Sequence, residues 1–192
     1  MAKVASIVPP VLTCLVGRRL GDASAPLAHF ALRDLAASLV GMITKKYAKT
    51  SHTLKPRLAR TCLKHFLDPN KPLGAHYGAI MGLQAVGGPD VVRALILPNL
   101  KTYETVIKDE IVEDGQRKAE AEMVLGAILI TLRTLENDRV EMMNGQAGNG
   151  GEEMKTKLIE KVGELVGTKV FELGRPQLSH AVLEDQVWLR GS

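Results

Sequence analysis

Pro26-Leu27-Ala28-His29-Phe30-Ala31 returns as Pro72-Leu73-Gly74-Ala75-His76-Tyr77-Gly78, with one residue inserted and the proline displaced by 46 positions. At the same 46-residue offset Pro10-Val11-Leu12 is echoed by Pro56-Arg57-Leu58, and 42 residues further on by Pro98-Asn99-Leu100. Self-similarity at a near-constant period marks a chain built from one supersecondary unit, stacked because a single unit cannot bury its own apolar face. Within the unit the periodicity is helical: Leu54, Leu58, Cys62 and Phe66 recur every fourth residue, as one stripe of an amphipathic helix does.

A period of about 40 to 47 residues is that of HEAT and armadillo helix pairs; ankyrin, tetratricopeptide and leucine-rich repeats are shorter. The expected fold is therefore all-α, an α-solenoid of about four to five HEAT-type pairs, less regular toward its end. Composition agrees. Of 192 residues 45% are hydrophobic but only 4% aromatic, which suits close helix packing better than strands. Cys14 and Cys62 are too few for a disulfide framework, and neither lies in a paired metal-ligand spacing. No secretory leader pattern opens the chain, and apolar runs such as Ile128 to Ile130 fall short of a membrane span, so an intracellular, soluble protein is expected. The net charge of +4 conceals an asymmetry: residues 1–101 carry 14 Lys+Arg against 4 Asp+Glu, and residues 102–192 carry 11 against 17. A basic half suits nucleic acid or an acidic protein segment, or is simply a solvated face.

The first pair is predicted over Lys3 to Val16 and Leu27 to Lys46, with the turn at Gly17 to Pro26 and a bend at Pro10. In its second helix Ala28, Leu32, Leu35, Leu39 and Met42 form a stripe read as core. Leu35→Ala is accordingly expected to cost about 2 to 5 kcal/mol. The second pair runs from Thr53 to Asp68 and from Leu73 to Val86, ended by Gly87-Gly88-Pro89; Gly78 and Gly82 read as contact points for a neighbouring helix. A third pair covers Asp90 to Glu110, interrupted at Pro98, and Gln116 to Leu135, with its turn at Glu113-Asp114-Gly115. Apolar almost all round between Met123 and Leu132, this last helix is expected to be buried between neighbours. The domain reading is a solenoid over 1–143, a glycine-rich flexible linker over 144–151, and a further helix or helix pair over 152–190 packing on the solenoid end. Beyond the linker a helix is predicted from Glu152 to Leu173, followed by a short one from Leu178 to Leu189.

No enzyme signature emerges. His29, His52, His65, His76 and His180 are scattered, with no His-Glu-x-x-His pair, so no metal or cofactor is expected. Gly87-Gly88-Pro89 and the glycine tract lack the patterns of phosphate loops, and Asp109, Glu110, Glu113 and Asp114 have no partnered base or nucleophile. Arg33 and Asp34 lie mid-helix, where they form either part of a ladder of buried or half-buried charge pairs between adjacent repeats or a plain surface pair. Lys45, Lys46, Lys49, Lys55, Arg57, Arg60 and Lys64 are the densest basic run, across the junction of the first two units, and are the candidate interaction surface. Only Tyr47 interleaves them, so phosphate or acidic-peptide contact is favoured over base stacking.

Four stretches, Pro10 to Leu20, His29 to Val40, Tyr77 to Leu83 and Leu95 to Leu100, resemble in order and spacing the HEAT-repeat domain of the sixth TBP-associated factor family of transcription factor IID. The resemblance covers residues 7–110, extends to about 135, and is not recognised beyond the glycine linker. It implies a nuclear, non-catalytic scaffold acting in TFIID and SAGA. The partners it implies are a segment of the eighth factor, a second copy of the domain, and the ninth factor through a histone fold that no residue here can be assigned to, so the chain looks like a carboxy-terminal fragment. A generic HEAT adaptor for peptide segments, or a HEAT module making weak DNA contact through Lys45, Lys46, Arg57 and Arg60, are the alternatives.

Overall fold

A computed structural model describes residues 2–18, 20, 27–112, 115–136 and 151–184. Among these the regular structure is entirely helical: α1 (Ala2–Val16), α2 (His29–Tyr47), α3 (Leu54–Leu67), α4 (Leu73–Val91), a π-helical turn (Val92–Ile96), a 3-10 turn (Leu97–Asn99), α5 (Leu100–Val112), α6 (Gln116–Arg133), α7 (Gly151–Val162), α8 (Glu164–Glu172) and α9 (Pro176–Leu183). Most of the expected turn from Gly17 to Pro26, the expected turn at Glu113 and Asp114, the glycine tract before Gly151 and the chain beyond Glu184 lie outside the described residues.

Helices pair as α1 with α2, α3 with α4 and α5 with α6, while α2, α4 and α6 pack successively on one another as an inner row. That is the α-solenoid which the period predicts. The repeat prolines occupy three different settings: α1 runs through Pro10, Pro56 lies in the first turn of α3, where its missing N–H has no intrahelical use, and Pro98 sits in the 3-10 turn. α4 is the hub, with Leu73, Ala75, Ala79, Ile80, Leu83 and Val86 all buried. Its small residues let neighbours approach closely. A Cβ at Gly78 overlaps the Leu15 carbonyl of α1, and one at Gly82 falls 2.7 Å from Leu15 Cδ2 and 2.8 Å from Cys62 Sγ of α3.

Several expectations need correction. On α2 the buried residues are Phe30, Arg33, Ala36, Ala37, Val40 and Thr44; of the predicted core stripe only Leu39 packs partly on the core, while Ala28, Leu32, Leu35 (59% exposed) and Met42 (58% exposed) point outward. The helix lies between α1 and α4 through small Ala36 and Ala37, a seam that closes tighter than leucines permit, and Arg33 is drawn inward by acceptors on α1. α6 is likewise not buried all round: Val124, Ile128 and Leu132 are interior, whereas Ile130 is 56% exposed. The third outer helix is interrupted at Pro98, as the sequence predicts. Gly88 at φ +57° kinks the run inside α4, at the Gly87-Gly88-Pro89 stop that the sequence predicts, and the π and 3-10 turns carry the chain past Pro98 before α5 begins. The stretch Leu73–Val112 is, by length and composition alone, long and apolar enough to cross a membrane, contrary to the expectation that no run reaches that measure. Its core-facing residues Leu83, Val92, Ile96, Leu100 and Ile107 are spent on packing within the protein.

The predicted helix over Glu152 to Leu173 is two, α7 and α8, folded together at Gly163 with φ +96°. A Cβ there collides with the Glu104 carboxylate, so the turn requires glycine twice over. α7, α8 and α9 pack on one another and against α5 and α6. Glu104 Oε1 accepts from the Leu165 N–H at 2.6 Å, supplying from α5 the cap that Gly163 cannot give α8. At the far end the Ala181 carbonyl accepts from Arg93 Nη1 at 2.9 Å and the Leu183 carbonyl from Lys161 Nζ at 2.8 Å, so cations from two neighbours satisfy the end of α9.

Candidate interaction surface

Arg33 organises the crossing of the first two units. Only 1% exposed, it donates from Nη1 to the Leu15 carbonyl at 2.7 Å, from Nη2 to the Gly17 carbonyl at 2.9 Å and from Nε to His29 Nδ1 at 3.1 Å. The two carbonyls belong to the end of α1, where the backbone has no further helical partners and the helix dipole is negative. Burial lowers the Arg33 pKa to about 10, with Glu120 opposing the shift, so the guanidinium remains charged at neutral pH. Burial, and then the adjacent Arg33 cation, lower the His29 pKa, which keeps its ring nitrogen an acceptor. Asp34 turns the other way. Its Oδ1 accepts from the Tyr77 hydroxyl at 2.7 Å, and burial together with this carboxylate pushes the Tyr77 pKa up. Among the described residues Arg33 and Asp34 thus pair with neither each other nor another charge; each ties α2 to a different neighbour. His29 and Tyr77 are the partners that sequence reasoning missed; a histidine four residues before an arginine on one helix was the available signal.

The remaining histidines do structural work or face solvent. His76 is fully buried beside Tyr103, with ring centroids 5.3 Å apart, and burial lowers its pKa. His65 is partly buried, while His52 and His180 are exposed. Burial pushes the Cys62 thiol up to about 12, which leaves it protonated and unreactive. No group of three or more metal-ligating side chains stands together among the described residues. Of the acidic neighbours, Glu110 pairs with Arg117, and Asp109 is exposed.

The seven basic residues fall around one feature, the turn from α2 into α3. Lys45 and Lys46 end α2, Lys49 lies in the turn, and Lys55, Arg57, Arg60 and Lys64 lie along α3; all are exposed. None of them makes an ion pair among the described residues, and the Lys46 ammonium sits 5.7 Å from the centre of the Tyr47 ring. A second kind of surface accompanies them: Leu32, Leu35 and Met42 on α2 and Met123 and Ile130 on α6 present large apolar side chains to solvent from the inner row.

Residues 3–101, which run from α1 into α5, match the family described as the TAF6 C-terminal HEAT repeat domain. The chain belongs to this family. Relatives of the TAF6 C-terminal HEAT domain extend the likeness further. The Schizosaccharomyces pombe SAGA complex/transcription factor TFIID complex subunit Taf6 is 36% identical over 183 residues, 94% of this chain and 39% of its own length. Arabidopsis thaliana transcription initiation factor TFIID subunit 6 is 46% identical over 127 residues, covering 64% of this chain and 23% of the relative. The human TAF6-like RNA polymerase II p300/CBP-associated factor-associated factor 65 kDa subunit 6L is 34% identical over 154 residues, 74% of this chain and 25% of the relative. The chain therefore spans 39% or less of the length of these proteins. The fission-yeast alignment carries the TAF6 likeness past the glycine-rich stretch, where the sequence pattern alone no longer shows it.

Proposed function

We propose that this domain is a non-catalytic scaffold which holds other TBP-associated factors in TFIID-type and SAGA-type assemblies during RNA polymerase II transcription initiation, in the nucleus. The observation that carries the reading is the inner row itself: helices α2 and α6, already packed on their outer partners and on α4, still expose Leu32, Leu35, Met42, Met123 and Ile130. Large apolar side chains left outside on a rigid solenoid are what a protein-binding face requires. The relatives named as TFIID and SAGA subunits supply the kind of assembly. Under this reading a segment of the eighth factor or a second copy of the domain covers that face, DNA contact is at most weak and electrostatic, and pairing with the ninth factor belongs to no residue of this chain. A non-catalytic role fits the chemistry of the reactive groups: His29 is occupied by Arg33, and the Cys62 thiol is buried and protonated.

The test is affinity capture from nuclear extract with the tagged chain as bait and mass spectrometry as readout, beside a Leu35→Asp, Met42→Asp variant. Recovery of several TFIID or SAGA subunits, reduced in the variant, is the expected result. A wild-type chain that recovers none of them sinks the scaffold reading.

A further inference from the structure

The two outer helices α1 and α3 leave a cleft of about 390 Å³ between them. Leu58, 2% exposed, lies at its base, Val8 and Leu12 of α1 and Leu54 of α3 line it with half-buried apolar surface, and Tyr47, Arg57 and Thr61 are among its other lining residues. A second recess of about 390 Å³ shares Ser51 and Leu54 with the first and includes Lys55. Around both lies a charge field of one sign: residues 35–67 contain seven Lys and Arg and no Asp or Glu. Arg57, Arg60 and Lys64 follow one another at spacings of three and four along α3, which makes each the surface neighbour of the next, so their mutual repulsion goes unrelieved until an anion arrives.

The occupant must satisfy both features at once. A phosphate backbone answers the charge but leaves the apolar cleft wet, and Tyr47 alone offers no stacking platform for bases. A polypeptide with aliphatic side chains between carboxylates answers both. We infer that the α1/α3 groove is the docking site for an acidic peptide segment whose branched aliphatic side chains fill the cleft over Leu58 while its carboxylates meet Arg57 and Lys55. Arg57, in the lining of the cleft, offers a planar fork that a carboxylate engages with two hydrogen bonds, and Lys55, in the adjoining recess on the other flank of α3, offers a point charge to the next carboxylate along. This surface shares no lining residue with the exposed apolar positions Leu32, Leu35, Met42, Met123 and Ile130 of the inner row, so it deepens the scaffold reading by giving the domain a second, chemically distinct contact; bivalent attachment strengthens assembly well beyond either contact alone.

Fluorescence anisotropy with a labelled peptide of repeated Glu-Leu-Asp-Leu units, an oligo-glutamate of equal charge and a short DNA duplex decides the matter at about 50 and 200 mM salt. The leucine-bearing peptide binds about tenfold more tightly than oligo-glutamate, and Lys55→Glu with Arg57→Glu weakens it by about tenfold or more. Thr61→Trp fills the cleft from a partly exposed helix position and weakens binding about fivefold with the unfolding midpoint unchanged. Equal binding of both peptides, or indifference to Thr61→Trp, overturns the groove, because charge alone then explains the surface. Tighter binding of duplex than of peptide also overturns it, in favour of a nucleic-acid face. A chain that recovers TFIID or SAGA subunits yet binds no peptide loses only the groove; one that binds peptide yet recovers no subunits loses only the scaffold.

Discussion

Gly78→Ala is a one-carbon change with an outcome opposite to its helix propensity. In an exposed helix the replacement of glycine by alanine stabilises by about 1 kcal/mol, because the unfolded chain loses freedom and the helix gains a good former. At Gly78 the new Cβ overlaps the Leu15 carbonyl, a backbone atom at the end of α1 that cannot swing aside as a side chain would. Moving α1 away breaks the contact that Arg33 Nη1 makes with that same carbonyl at 2.7 Å. Overpacking costs about 1 to 3 kcal/mol, and loss of a charge-assisted hydrogen bond about 1.5 to 3 kcal/mol. Against the propensity gain, the net destabilisation is about 1.5 to 5 kcal/mol. Gly126 of α6 supplies the internal control: it is helical and its Cβ position meets nothing within 4 Å, so Gly126→Ala stabilises by up to about 1 kcal/mol. Urea unfolding followed by far-ultraviolet circular dichroism measures both. Two variants shifting together, in either direction, refute the argument that the α1 carbonyl and not local propensity sets the residue at position 78.

Leu35→Ala changes stability by no more than about 0.5 kcal/mol in the same assay, since the side chain is 59% exposed; a loss of several kcal/mol restores the stripe as core. Glu104→Ala removes the cap on α8 and lowers stability by about 1 to 2 kcal/mol, with increased hydrogen exchange at Leu165; unchanged exchange there contradicts the capping role. Stability also falls with acid. The folded-state pKa of His76 lies below its ordinary value of 6.5 because burial disfavours the cation, so the unfolded chain binds the proton first. The contribution is fully present above pH 6.5 and declines as pH drops below it, and His76→Gln flattens that decline in denaturant midpoints taken from pH 7 to 5. An unaltered pH profile in the variant refutes the assignment.

The repeated proline motif and the four-residue stripe Leu54, Leu58, Cys62, Phe66 were enough to read helix pairs stacked as a solenoid, because period and amphipathicity are local properties of a chain. The glycines of α4 were legible as approach points for the same reason: a costly residue in a helix interior implies a neighbour that needs the space. The basic run from Lys45 to Lys64 was visible as charge, but not the cleft it surrounds, since α1 and α3 are brought to either side of that cleft only by their packing on the inner row. Which face of α2 points inward was beyond the pattern. Leu32, Leu35, Leu39 and Met42 make a good stripe, yet two small alanines and an arginine seeking the carbonyls of α1 made the better seam. Gly163 tells the same story: in the sequence it is one glycine within an amphipathic helix, and only the approach of Glu104 from α5 turns it into the break between α7 and α8. Periodicity fixes what an element is, because it depends on near neighbours along the chain. Orientation depends on which distant atoms offer acceptors or room, and those are set only when the helices have packed.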